Sequence, residues 1–127
     1  MALPVNRPLQ EWNLNVHLAD VTTSGATAIC YTPTPFRGKV TRVYAAQYLG
    51  ASGGAAVVTT AINGTAITGG TLTFSVTSGL AGLVYSATPT ADSTTYFNEG
   101  DVISFSSDGA PTNATVAANF TAVVRRI

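Results

Sequence analysis

Residues 62–74 read INGTAITGGTLTF, and the rest of the chain can be read outward from them. Asn63-Gly64 is a strong hairpin signal, because both central residues of a type I′ turn need positive φ and Asn and Gly tolerate it best. The runs on either side are β-branched. Residues 56–62 lead in as one strand and 65–68 return as the next; Gly69-Gly70 marks a further reversal, and 71–76 set Leu72, Phe74 and Val76 on one face. Apolar residues two apart put one face of a strand on a core and leave the other outside it.

The same period holds toward the N-terminus. Trp12, Leu14, Val16 and Leu18 share one face of a strand, and Asn13, Asn15, His17 and Ala19 the other. Residues 20–25 read as a loop and 26–31 as a second strand, closed by Thr-Pro-Thr-Pro at 32–35. Phe36-Arg37-Gly38 turns into a strand over 39–49, where Val40, Val43, Tyr44 and Tyr48 break strict alternation. Either a bulge or two buried faces would give that stagger. Toward the C-terminus, 83–86 form a short strand and 87–95 a polar connection. Asn98-Glu99-Gly100-Asp101 turns the chain into 102–105, Ser107-Asp108-Gly109 turns it out, and 114–124 form the last strand. Short strands at intervals of roughly 8–12 residues, with no helical pattern, define an all-β, single-domain sandwich or jelly roll. Its expected extent is 12–127, with residues 1–11 as an extended arm.

Composition narrows the partners. The chain is 46% hydrophobic, enough for a packed core, yet only 9% charged, well under the usual quarter of a soluble domain. Ser, Thr, Ala, Gly and Asn stand where Lys and Glu usually do. Interface cores are depleted in charge in this way, and so are the hydroxylic faces of Thr-rich β-proteins. The formal net charge is zero, which gives no global pull toward nucleic acid or an anionic membrane. Arg37, Lys39 and Arg42 form a short basic cluster and Arg125-Arg126 a second; each is too small to track phosphates. There is no signal-peptide pattern and no apolar run of ~18 residues, so synthesis in a cytosol is expected.

Chemistry finds little material. His17 is the only histidine and Cys30 the only cysteine, so no intrachain disulfide, zinc spacing or nucleophile motif arises. Cys30 reads as a small buried hydrophobe and His17 as an exposed or hydrogen-bonded strand residue. Glu99, Asp101 and Asp108 are the one local group of carboxylates. They fit turn chemistry best, with Ca²⁺ ligation or a glycosidase pair as the alternatives. Tyr31, Tyr44, Tyr48, Tyr85 and Tyr96 would serve as a sugar platform if they shared a face. No catalytic residue, cofactor or metal is assigned, and no enzyme activity is expected.

Five segments in order, PFRGKVTRVYA (35–45), INGTAITGGTLTF (62–74), SATPTA (86–91), NEGDVISFSSDG (98–109) and FTAVVRRI (120–127), resemble the capsid decoration, or cement, proteins of tailed bacteriophages and prophages. The resemblance covers most of the chain after residue 35 and rests on turns and strand faces. It implies a β-sandwich or β-tulip homotrimer on the outer surface of the phage head. There it would bridge neighbouring major capsid proteins and oppose the pressure of packaged DNA, with no active site, cofactor, nucleic-acid or membrane partner. A receptor- or glycan-binding module of a fibre or tail tip is the alternative.

In that setting MALPVNRPLQE acquires a purpose. Pro4 and Pro8 each remove a backbone donor and bias the preceding residue to extended conformations. Eleven such residues reach roughly 36 Å at most. Leu3, Val5 and Leu9 are the expected anchors on a partner, with Pro4 and Arg7 between them and Trp12 as the plug at the hinge. A frayed terminus is the plain alternative.

Overall fold

Alternating strands dominate the computed structural model, which describes residues 11–19, 21, 29–48, 56–74, 84–108 and 117–127. In chain order these hold β1 (Glu11–Leu18), β2 (Ile29–Pro33), β3 (Gly38–Gln47), β4 (Ala56–Ile62) and β5 (Thr65–Phe74). After them come β6 (Val84–Ala87), a 3-10 turn (Ser93–Thr95), β7 (Tyr96–Phe97), β8 (Val102–Ser107) and β9 (Ala118–Arg126). One sheet has the order β1-β9-β3-β6, with β7 also on β3; the other has β2-β8-β4-β5. Every pairing is antiparallel. The fold is an all-β sandwich, as the spacing of strands and turns implied.

The core lies where the alternation put it. Ala118, Phe120, Ala122 and Val124 of β9 are fully buried, opposite Val58 of β4, Phe74 of β5, and Ile103 and Phe105 of β8. Rings interleave across the two sheets. Phe105 stacks on Phe120 at 4.8 Å, Phe120 meets Phe74 at 6.0 Å, and Phe74 stacks on Tyr85 at 4.7 Å. Each ring touches the opposite sheet, so the run fastens the layers together more specifically than area burial alone would.

The hairpin at 63–64 has the expected conformation, with φ of 50° at Asn63 and 85° at Gly64. The tip is tied to its neighbour: Val102 N–H donates to Asn63 Oδ1 at 2.9 Å and Asn63 N–H to Val102 O at 2.8 Å. The stagger in β3 is a bulge, since Val40 pairs with Val124 and Arg42 with Val123, leaving Thr41 extra.

Gly69-Gly70 is not a reversal. β5 runs unbroken from Thr65 to Phe74. Thr59 pairs with Thr71 and Ala61 with Ala66, so residues 67–70 bulge opposite the single Thr60. Gly69 takes the positive φ, 77°, that the bend needs. The polar connection then fills the bend: Thr90 N–H donates to Thr68 O at 2.8 Å and Thr68 N–H to Thr94 Oγ1 at 3.0 Å. β2 likewise continues through Thr32 and Pro33 instead of closing before them. It is an edge strand, where proline is tolerated. β8 extends to Ser107 and β9 begins at Ala118, while 26–28, 75–76 and 114–116 lie outside the described residues.

The bulge leaves one polar atom stranded. Thr60 is fully buried, and its hydroxyl finds no hydrogen-bond partner among the described residues. An unmatched buried hydroxyl carries a desolvation penalty of ~1–3 kcal/mol. Thr60→Val keeps the shape and removes the penalty, so we expect it to stabilise the fold by about 1 kcal/mol. Urea denaturation measures this, and an unchanged or lower midpoint would mean that the hydroxyl is satisfied.

Candidate interaction surface

Sheet one turns its outer face away from the core through Asn13, Asn15 and His17 of β1, Asn119, Thr121 and Val123 of β9, and Tyr44 and Ala46 of β3. These residues are cross-strand neighbours in successive rows: Asn15, Thr121 and Tyr44, then His17, Asn119 and Ala46. Hydrogen bonds run along the rows. Thr121 Oγ1 donates to Asn15 Oδ1 at 2.6 Å, His17 Nδ1 to Asn119 Oδ1 at 2.8 Å, and Asn119 Nδ2 to the Tyr48 hydroxyl at 2.8 Å. The Tyr48 ring also lies 5.6 Å from His17. A dip of about 290 Å³ opens beside them, lined by Asn13, Tyr44, Ala46, Val84, Asn119 and Thr121 among others. These rows form a flat, uncharged face whose amides and hydroxyls are already held in place. Period-two Asn and Thr in β1 and β9 were its sequence signal, but a single strand does not show which polar residues will meet across a ladder.

The basic residues gather at one end of this sheet. Antiparallel pairing of β3 with β9 sets Lys39 opposite Arg125 and Gly38 opposite Arg126, merging the two clusters that looked separate in sequence. Arg37 is exposed in the turn before β3, and its carbonyl accepts from Ile127 N–H at 3.1 Å. Arg42 stands at the bulge with its guanidinium 5.6 Å from the Tyr44 ring; Arg126 lies 5.7 Å from Phe36. Trp12, half exposed, packs on Phe36 at 5.9 Å, and Phe36 on Phe97 at 6.2 Å. The expected arm anchors Leu3, Pro4, Val5, Arg7 and Leu9 lie outside the described residues; β1 already begins at Glu11.

The carboxylates do not converge. Asp101 immediately precedes β8 and Asp108 follows it, so the whole six-residue strand, roughly 20 Å long, separates them. No group of three or more metal-capable side chains occurs among the described residues. Asp101 closes its own turn, accepting from Asn98 N–H at 2.8 Å, while Thr34 Oγ1 bonds the carbonyls of Asn98 and Asp101. Asp108 instead extends the β4–β8 ladder, with its Oδ1 accepting from Val57 N–H at 3.1 Å. Asp101 and Asp108 therefore share neither a Ca²⁺ site nor an acid–base pair, and Glu99 is exposed in the turn before Asp101.

Hydrogen bonds from Asn98 N–H and then Asn63 hold the Asp101 carboxyl below its ordinary value of 3.8, and bonds from Thr94 do the same for Asp92. A depressed folded pKa adds stability that is complete above the unfolded value and disappears as pH falls through the folded one. Melting temperature should therefore decline below pH 4. The decline should be shallower in Asp92→Asn/Asp101→Asn, and equal slopes in variant and parent would contradict the assignment.

The remaining candidates settle individually. Cys30 is buried, its thiol pushed up to about 11 by desolvation, and it acts as a small hydrophobe. Tyr44 and Tyr48 share the outer face of sheet one, and the other three tyrosines stand apart from them. Tyr85 turns inward onto Phe74 and donates to Gln47 Oε1 at 3.2 Å; Tyr31 belongs to the other sheet; Tyr96 lies opposite Lys39, at the far end of β3 from Tyr48. No helix among the described residues is long and apolar enough to cross a membrane.

No family model matches this chain, and no curated protein matches it. Among solved structures, it is similar to a chain in the acidic stable capsid of Helicobacter pylori bacteriophage KHP30. The TM-score is 0.58 over 91% of this chain and 86% of that one, at 8% identity. A Desmodium yellow mottle tymovirus chain gives 0.32 at 14% identity, over 98% of this chain and 90% of that one. A Nora virus chain gives 0.31 at 8% identity, over 91% and 57%. Only the first reaches a score that bears on the fold, and it agrees with the all-β sandwich described above.

Proposed function

We propose that this chain is a structural protein of a virion, a capsid decoration or cement protein. In this reading it sits on the outer surface of a phage head as a homotrimer, bridges major capsid proteins, and is made in the bacterial cytoplasm. The observation that carries the reading is the agreement in fold, over nearly the whole of both chains, with a chain of a phage capsid. The amide- and hydroxyl-lined rows of sheet one, which carry no Lys, Arg, Asp or Glu, support it, because such a surface suits permanent contact with protein. The receptor- or glycan-binding alternative drew on exposed tyrosines and Thr-rich faces; Tyr31, Tyr85 and Tyr96 stand apart from one another, which leaves it only Tyr44 and Tyr48 on the outer face of sheet one.

The arm belongs to the same proposal. Three arms on one trimer would multiply weak contacts, since linked binding events exceed single affinities by 10²–10⁴. Deleting residues 2–10, which stops short of β1, should weaken co-sedimentation with purified capsids by about 10²-fold or more. Circular dichroism and trimer mass should not change. Equal attachment by the truncated chain would contradict the arm. Failure of the full-length chain to co-sediment would contradict decoration itself.

A further inference from the structure

The basic end of sheet one is short of negative charge. Arg37, Lys39, Arg42, Arg125 and Arg126 are five of the chain's six cations. None has an ion-pair partner among the described residues. Lys39 and Arg125 are direct cross-strand neighbours, an arrangement that destabilises a sheet when both carry the same sign. Glu11 is the one acid in the register, opposite Arg125, and its carboxylate faces the Thr41 hydroxyl at 3.4 Å.

The rest of the chain has little to offer this end. Asp92, Asp101 and Asp108 are engaged in their own turns and ladder; Glu99, exposed in the turn after Asn98, is the one further acid among the described residues. Residues 1–10 contain Arg7 and no carboxylate. Apolar surface accompanies the basic end. Trp12, Tyr96 and Ile127 are each about half exposed. Between Arg37, Tyr96, Phe97, Asn98 and Ile127 lies a dip of about 160 Å³. Arginine beside exposed tryptophan and tyrosine is the composition of binding hot spots, and the Arg126–Phe36 contact holds one guanidinium ready.

We infer that this end of the sandwich docks a carboxylate-rich surface of a different protein chain, with an apolar side chain of that partner seated in the dip. Charge complementarity selects the partner. Nucleic acid fits less well, because the patch is short, contains Glu11, and offers a pocket for an apolar side chain in place of a track for phosphates. A second copy fits less well because, among the described residues, it offers only Glu11 and Glu99 as carboxylates beyond the three that hold turns and ladder, too few to make a carboxylate-rich surface. The inference rests on the virion reading only for where the partner is found.

Lys39 is the chain's only lysine and so its only side-chain amine, which makes zero-length carbodiimide coupling a direct test. In purified virions we expect Lys39 to be joined to an Asp or Glu of another protein. Arg37→Glu/Arg126→Glu should reduce the link and weaken attachment at least roughly tenfold, and salt should weaken attachment of the parent chain. If the chain is present but Lys39 is unlinked, or linked only to its own copies, the inference is overturned and the virion reading stands. If the chain is absent from virions, that reading fails. The inference is then decided on the isolated protein by Trp12 fluorescence, titrated with an Asp/Glu peptide bearing a central Leu-Phe, its Asn/Gln counterpart, and a twenty-residue oligothymidylate. Saturable, salt-sensitive binding of the acidic peptide alone sustains it; no binding, or preference for either other probe, overturns it.

Discussion

Phe120→Ala will unfold about 15 °C below the parent protein, a loss of ~4 kcal/mol. Phe120 is fully buried on the inner face of β9, and its ring contacts Phe105 at 4.8 Å and Phe74 at 6.0 Å. Truncation removes the apolar area and leaves a cavity between two sheets whose paired backbones cannot easily collapse into it. It also parts the rings that carry the contact on to Tyr85. Phe120→Leu, which refills most of the space, should lose only about a third as much. Calorimetry on the pair reads both numbers. A loss under about 2 kcal/mol for Phe120→Ala would mean that the layers are held mainly elsewhere.

Gly38→Ala will cost ~3 kcal/mol or more, although it adds only one methyl group. Gly38 opens β3 between β7 and β9, opposite Phe97 and Arg126. A Cβ there would overlap the carbonyl oxygen of Arg125 and press on the Phe97 ring at 3.1 Å. The first neighbour is backbone within a ladder, so relief requires β3 and β9 to part where the basic residues meet. Gly64→Ala separates this effect from conformational preference: its φ is 85° but nothing lies within 4 Å of the added carbon, so strain alone should cost about 1 kcal/mol. Denaturant midpoints of the two variants decide the matter. Equal losses would show that the contact at Gly38 relaxes.

These sites also show what could be read from sequence. Alternation placed Leu72, Phe74, Phe120 and Ala122 in the core because a strand has only two faces, and burial of one is decided locally. Asn63-Gly64 was legible for the same reason: two residues fix a turn by their own φ preferences. Gly69-Gly70 misled because glycine signals a bend without saying whether the chain reverses or rejoins its ladder. That depends on Thr90 and Thr94, more than twenty residues away. The site was legible only in pieces. Arg37, Lys39 and Arg42 could be listed from sequence, but their union with Arg125 and Arg126 depends on the β3–β9 register. The Asn15–Thr121 and His17–Asn119 pairs depend in the same way on β1 lying beside β9. Asp101 and Asp108 show the converse, since residues seven apart in sequence look close until a strand extends between them.

The proposed decoration role is tested most directly by the copy number of this protein in purified virions. Quantitative mass spectrometry of purified virions, calibrated against the major capsid protein, should return a copy number on the scale of the capsid lattice. A handful of copies per virion, or none, would contradict it.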